Sequence, residues 1–258
     1  MKNIAYYHLY MTDNPVIWSC IFCEQIMYME RSSLLNNLDE IRIVVISKTD
    51  RRISKFIEMC KYLIPEEKVK FLFVENPYSN DQEMLSNLES NKTISENHTM
   101  RLIYNDAQTE NCNLLYIHSK GIKPYLTYDN MEIFVRYHHW RQYLNWGVLT
   151  NWKECIEKLN DYDIVGVNYR KDPSPHFSGN FWWSKSSYIK TLPDPSTKLW
   201  WQKIKFETTD TWLKNVSDRF RDEMWPCSIN PKVYNIHEMT ENPAAKIIKY
   251  ERYGNEHS

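Results

Sequence analysis

Residues 41–47, Ile41-Arg42-Ile43-Val44-Val45-Ile46-Ser47, form the clearest strand pattern in the chain: apolar residues at 41 and 43–46 within one run of strand length. The segments on either side alternate in character. Upstream, Ile4–Tyr10 reads as a strand, and Val16–Arg31 as a helix with Trp18, Ile21, Phe22, Ile26 and Met29 at helical spacing. Downstream, Arg51–Leu63 is helical, Val69–Val74 is a third strand and Thr93–Thr109 is mostly helical. Asn113–His118 (NLLYIH) is a fourth strand, running into the turn Ser119-Lys120-Gly121. Strands that alternate with helices at this spacing predict an α/β domain around a central, mainly parallel sheet flanked by helices.

The second half continues the pattern more weakly. A helical block runs from about Met131 to Leu159, with Ile133, Tyr137, Trp140 and Leu144 on one stripe and a break near Gly147. Ile164–Asn168 (IVGVN) is a further strand after a turn at Asn160–Asp163, and a short last strand is expected near Lys232–Ile236. No repeat, low-complexity linker or composition break divides the chain. The expected organisation is one domain over residues 1–244 and a C-terminal tail over 245–258 that wraps the surface or frays.

Composition narrows the function classes. Lys and Arg number 32 against 33 Asp and Glu, for a net charge of −1, so neither a nucleic-acid surface nor a polybasic membrane patch is expected. No run approaches the roughly 20 apolar residues of a membrane span, and the N-terminus has no signal-peptide pattern. A cytoplasmic protein is expected, in which the sequons at Asn91, Asn97 and Asn215 play no part. The six cysteines match no disulfide framework, and Cys20-Ile-Phe-Cys23, inside a helix, reads as buried free thiols. Only five glycines occur, at 121, 147, 166, 179 and 254, too scattered for GxGxxG or a P-loop.

The stretch His176–Pro193, HFSGNFWWSKSSYIKTLP, crowds Phe177, Phe181, Trp182 and Trp183 around Ser178, Gly179 and Asn180. Flat apolar faces beside hydrogen-bonding groups suit a sugar ring or a nucleotide. His118-Ser119-Lys120-Gly121 places an imidazole, a hydroxyl and an ammonium after a strand. Lys120 there could neutralise a diphosphate leaving group, with an ordinary polar turn as the alternative. Asp161-Tyr162-Asp163 looks like a metal-binding DxD but precedes its strand, so a helix–strand turn is the expected reading.

Together YYHLY, LLYIHSKGI, Trp140-Arg141, DIVGVNY, HFSGNFWWSKSSYIKTLP and a late acidic-x-Trp resemble one family. It looks like a group of GT-A-type glycosyltransferases, nucleotide-diphospho-sugar transferases found in bacteria and large DNA viruses, and the resemblance runs from about residue 3 to 240. It implies a Rossmann-like GT-A domain that uses a UDP- or GDP-linked sugar and a glycan, protein or lipid acceptor, in the host cytoplasm if viral. It places the nucleotide on Tyr6–Tyr10, with a base stacked on Tyr7 or Tyr10 and with His8 nearby. Donor contacts would come from His118, Arg141, Ser178, Gly179 and Asn180. In this reading FSGN is a sugar-facing strand, Ser184 caps the following helix, and Trp182 and Trp183 divide between ligand and core.

The family's Asp-x-Asp after the fourth strand is absent, since that place reads His118-Ser119-Lys120. A Mn2+ or Mg2+ cofactor is therefore left open, with His118 and His237 as candidate ligands. Asp210, two residues before Trp212, matches the acidic-x-Trp best as catalytic base, with a plain helix cap as its alternative and Glu207 as fallback. Two rival readings stand beside transfer. One is a non-catalytic module that binds a glycan or nucleotide sugar. The other is a nucleotidyltransferase, disfavoured because Met11–Pro15 lacks a glycine-rich, lysine-containing loop.

Overall fold

The structure, a computed structural model, describes residues 1–47, 50–75, 96–122, 130–197, 218–239, 247–248 and 253, with the backbone alone at 50–51 and 218–220. The strands are β1 (Lys2–Tyr10), β2 (Glu40–Ser47), β3 (Val69–Glu75), β4 (Cys112–His118), β5 (Ile164–Gly166), β6 (Tyr169–Arg170), β7 (His176–Phe177), β8 (Trp182–Lys185) and β9 (Val233–Asn235). Among the described residues seven of them form one sheet in the order β3-β2-β1-β4-β8-β5-β9, and β6 and β7 form a separate antiparallel pair. All ladders in the large sheet are parallel except those of β8, which runs antiparallel to both β4 and β5. The α/β expectation of a central, mainly parallel sheet flanked by helices is met.

The helices are α1 (Pro15–Arg31), α2 (Leu34–Asn37), α3 (Asp50–Leu63), α4 (Asn97–Thr109), α5 (Met131–Asn145), α6 (Trp152–Lys158), α7 (Ser186–Ile189) and α8 (Asp218–Met224). Pro at the first turn and the Asn14 side chain, which accepts from Val16 N–H at 3.0 Å, start α1. The expected break near Gly147 is a π-turn, Trp146–Thr150, between α5 and α6. A Cβ at Gly147 would lie 2.7 Å from the Val167 side chain, so glycine is what lets this turn press onto the end of β5.

Alternation along the strands sorts the core into two layers. Ala5, Tyr7, Leu9, Leu115, Ile117 and Trp183 join the layer built with α1, α5 and the π-turn. Ile4, Tyr6, Leu114, Tyr116 and Trp182 join the layer built with α4, α7 and Trp225. Trp182 and Trp183 thus face opposite sides as expected, but neither is left for a ligand. Both are fully buried, with their indole N–H groups donated to Asn180 Oδ1 and Val148 O at 2.9 Å each.

Two local expectations are corrected. Ser184 does not cap α7: Lys185 holds the N-cap place, and Ser184 Oγ donates to Asp163 O at 2.8 Å as part of β8. Cys20 is exposed on α1, although Cys23 is half-buried and Cys60, Cys112, Cys155 and Cys227 are buried free thiols. The tail residues Ile248 and Tyr253 are buried, and the Tyr253 ring lies 5.1 Å from those of Tyr143 and Trp146.

At the amino end of the sheet, Arg42 of β2 binds Glu40, Asp106 and Glu110, which explains a cation inside an apolar strand. Asp161 and Asp163 lie at this same end of β5. There Asp163 exchanges backbone and carboxylate hydrogen bonds with Lys232 at 2.9 and 2.8 Å, the helix–strand turn expected of them.

Candidate functional site

The parallel strands β1, β2, β4 and β5 end on one rim, and open α/β sheets bind ligands outside such carboxyl ends. Short bonds stitch the rim. Ser119 N–H donates to His8 O at 3.0 Å, and Tyr10 N–H donates to Ser119 Oγ at 3.2 Å, joining the ends of β1 and β4. Arg52 of α3 donates to Thr12 O at 3.1 Å and pairs with Asp13 at 3.0 Å, fixing the loop after β1.

Lys120 lies on this rim, in the turn after β4. Its Nζ lies 4.0 Å over the Trp140 ring, and its residue is 3% exposed. Arg141, next to Trp140 on α5, holds the turn from behind. It donates to Lys120 O at 3.0 Å and meets both oxygens of Glu24 of α1, at 3.2 and 2.8 Å. Gly121, at φ +90, completes the turn. The Arg141 charge is thus matched by Glu24 and its guanidinium is spent on positioning Lys120, so it is not presented to a ligand as expected.

The FSGN segment is a tight turn, not a sugar-facing strand. Gly179 has φ +101 and Asn180 φ +56. A Cβ on Gly179 would meet Leu144 Cδ1 at 2.6 Å and Trp140 Nε1 at 3.2 Å, so its open side faces core rather than ligand. Asn180 is fully buried, donating to Glu96 Oε2 at 2.7 Å and accepting from Trp182 Nε1. Neither Gly179 nor Asn180 is disposed to contact a donor through its side. Ser178 is half-buried, with its N–H donated to Asn168 O at 3.0 Å.

Glu96 is the residue that sequence reasoning missed. Its carboxylate, 6% exposed, accepts from Tyr116 Oη and Asn180 Nδ2, each at 2.7 Å, and lies 3.8 Å from His118 Nε2. An acidic residue at the start of a helical run reads as a solvated first-turn acid, and no local signal marks it as a hub. Burial and the Glu96 charge push the Tyr116 hydroxyl well above its ordinary range, so it acts as a donor. His118 Nε2 donates to Gly179 O at 3.0 Å, coupling β4 to the turn before β8.

His8 Nδ1 lies 2.9 Å from Thr99 Oγ1. Burial, with a smaller contribution from His118, lowers His8 to about 4 against the pull of Glu96, so its ring is neutral near pH 7. Tyr7 is enclosed, with its hydroxyl on Gln25 Oε1, and has no face to offer a base. Tyr10 is half-buried and is the aromatic of the pair with an accessible side.

The proposed metal ligands are not brought into a chelate. His118 Nε2 is committed as a donor to Gly179 O, and the half-buried His237 sets Nδ1 3.0 Å from Tyr143 Oη. Among the described residues no group of three or more His, Cys, Asp or Glu could hold an ion. Asp210 and Glu207 lie outside the described residues. No helix among the described residues is long and apolar enough to cross a membrane.

A family model described as a domain of unknown function, DUF8361, matches residues 6–252. No curated protein matches the chain. Among solved structures, HddC from Yersinia pseudotuberculosis is similar with TM-score 0.41 and 14% identity, covering 76% of this chain and 82% of that one. The 4-diphosphocytidyl-2C-methyl-D-erythritol synthase from Anaerococcus prevotii DSM 20548 is similar with TM-score 0.37 and 12% identity, covering 97% of this chain and 92% of that one. Likenesses at this level carry no argument about function.

Proposed function

We propose, for a chain that belongs to the DUF8361 family, that it is a GT-A-like glycosyltransferase taking a sugar from a nucleotide diphosphate to a hydroxyl acceptor. The observation that carries this reading is the Lys120 ammonium, held 4.0 Å over Trp140 at the carboxyl end of β4 by a turn that Arg141 and Glu24 brace. A cation fixed there by its neighbours suits the negative charge that develops on a departing diphosphate. The glycosidic carbon–oxygen bond to the diphosphate breaks as the acceptor oxygen bonds to the same carbon. The acceptor proton passes to a carboxylate, for which Asp210 is the choice and Glu207 the fallback. Tyr10 offers the accessible ring for the base.

The test is thermal denaturation with UDP- and GDP-linked sugars, with and without manganese, followed by transfer assays. A donor at about 100 times its Kd should stabilise by roughly 2.7 kcal/mol. Lys120→Met should lower kcat at least 10-fold. Binding without turnover would favour the recognition-module reading, and no binding by any nucleotide sugar would sink both.

A further inference from the structure

Besides Ser47 Oγ at the end of β2, two places on the carboxyl rim hold enclosed polar atoms with no hydrogen-bond partner among the described residues. One is Trp140 Nε1, against the Gly179 turn. The other is Asn168, at the end of β5, where both Oδ1 and Nδ2 are unmatched. Asn168 is fully buried, and its backbone is spent: its N–H donates to His237 O at 2.9 Å and its carbonyl accepts from Ser178 N–H at 3.0 Å. Its φ of +61 is a backbone conformation that asparagine and glycine adopt most readily. It does not explain a buried amide with an idle donor and an idle acceptor, which is destabilising until both are used. The two residues bonded to its backbone carry a half-buried hydroxyl, Ser178, and an imidazole, His237, set edge-on to the Trp146 ring at 5.9 Å.

From these we infer that the Asn168 amide is the contact that reads the hydroxyls of the transferred sugar. A planar amide presents an acceptor and a donor side by side, and two neighbouring hydroxyls each donate and accept, so one pair satisfies the other. The half-buried Ser178 and His237 beside it supply further polar edges for the ring itself. The inference rests on the nucleotide-sugar reading given under the proposed function, and it assigns the sugar end of that donor to the end of β5.

Asn168→Gly tests it, because glycine accepts the same backbone conformation and removes the side-chain amide. Two measurements are made on the full chain: melting temperature, and affinities for UDP-glucose, UDP-N-acetylglucosamine and GDP-mannose beside bare UDP and GDP. The expected result is a melting temperature within about 4 °C of wild type, at least a 10-fold loss of affinity for the sugar nucleotide that wild type binds, and an unchanged affinity for the bare diphosphate. A larger fall in melting temperature, or failure to fold, would make the amide structural and overturn the inference. Equal sugar-nucleotide affinity, or equal loss for the bare diphosphate, overturns it while leaving the transferase reading in place. A wild type that binds none of the probes overturns both.

Discussion

Gly179 sits at φ +101, and a Cβ there would lie 2.6 Å from Leu144 Cδ1. Its left-handed backbone and its approach to Leu144 make it indispensable to the turn that seats His118 Nε2 and sets Asn180 on Glu96. Gly179→Val should therefore destabilise the protein by roughly 2–6 kcal/mol, adding backbone strain to overpacking. Chemical denaturation reads this directly, and a wild-type midpoint would show that the turn has room. The polar groups of FSGN looked available in the sequence because their partner lies far along the chain. Asn180 and Glu96 are 84 residues apart, and nothing local to either announces the bond. The Lys120 turn was more legible, since a buried strand ending in His-Ser-Lys-Gly keeps its polar groups together. Tyr7 failed for the opposite reason: alternation along β1 says which face a ring takes, not that Gln25 of α1 will close over its hydroxyl.

At the scale of elements, periodicity was a faithful guide wherever a strand or helix has one consistent environment. Strands β1, β2 and β4 are buried along nearly their whole length and read as apolar runs, while α1 and α3 read as stripes. The four-residue β8 carries no period of its own, so its antiparallel sense was not legible. Its pleat nevertheless puts Trp182 and Trp183 into the two separate core layers. Trp182→Ala and Trp183→Ala should each cost roughly 3–5 kcal/mol. Because the rings lie on opposite faces of one strand, the double variant should come near the sum if the layers are independent. Urea denaturation of the three variants measures this; a single loss under about 1 kcal/mol would mean that ring is not core.

For the molecule as a whole, His8 links the rim to acid stability. A ring lowered to about 4 in the fold and near 6.5 when unfolded takes its proton first in the unfolded chain. Its contribution is intact above pH 6.5 and is lost as pH falls toward 4, by roughly 3 kcal/mol in all. Burial lowers His98 and His138 as well, so the comparison must be between wild type and His8→Gln, whose unfolding free energy should fall less over that window. Parallel curves would place no such burden on His8. The reversed strand β8 also bears on the chain while it is being made. β4 is apolar and buried, yet the neighbour that covers its outer edge, β8, begins only at Trp182, about sixty residues after β4 ends. At ribosomal speeds of about 5–20 residues per second that edge stays bare for roughly 3–13 s. An open, apolar strand edge is a template for pairing with other nascent chains. Soluble yield should therefore depend on how fast the segment from α5 to β8 is translated, with slower elongation there lengthening the exposure.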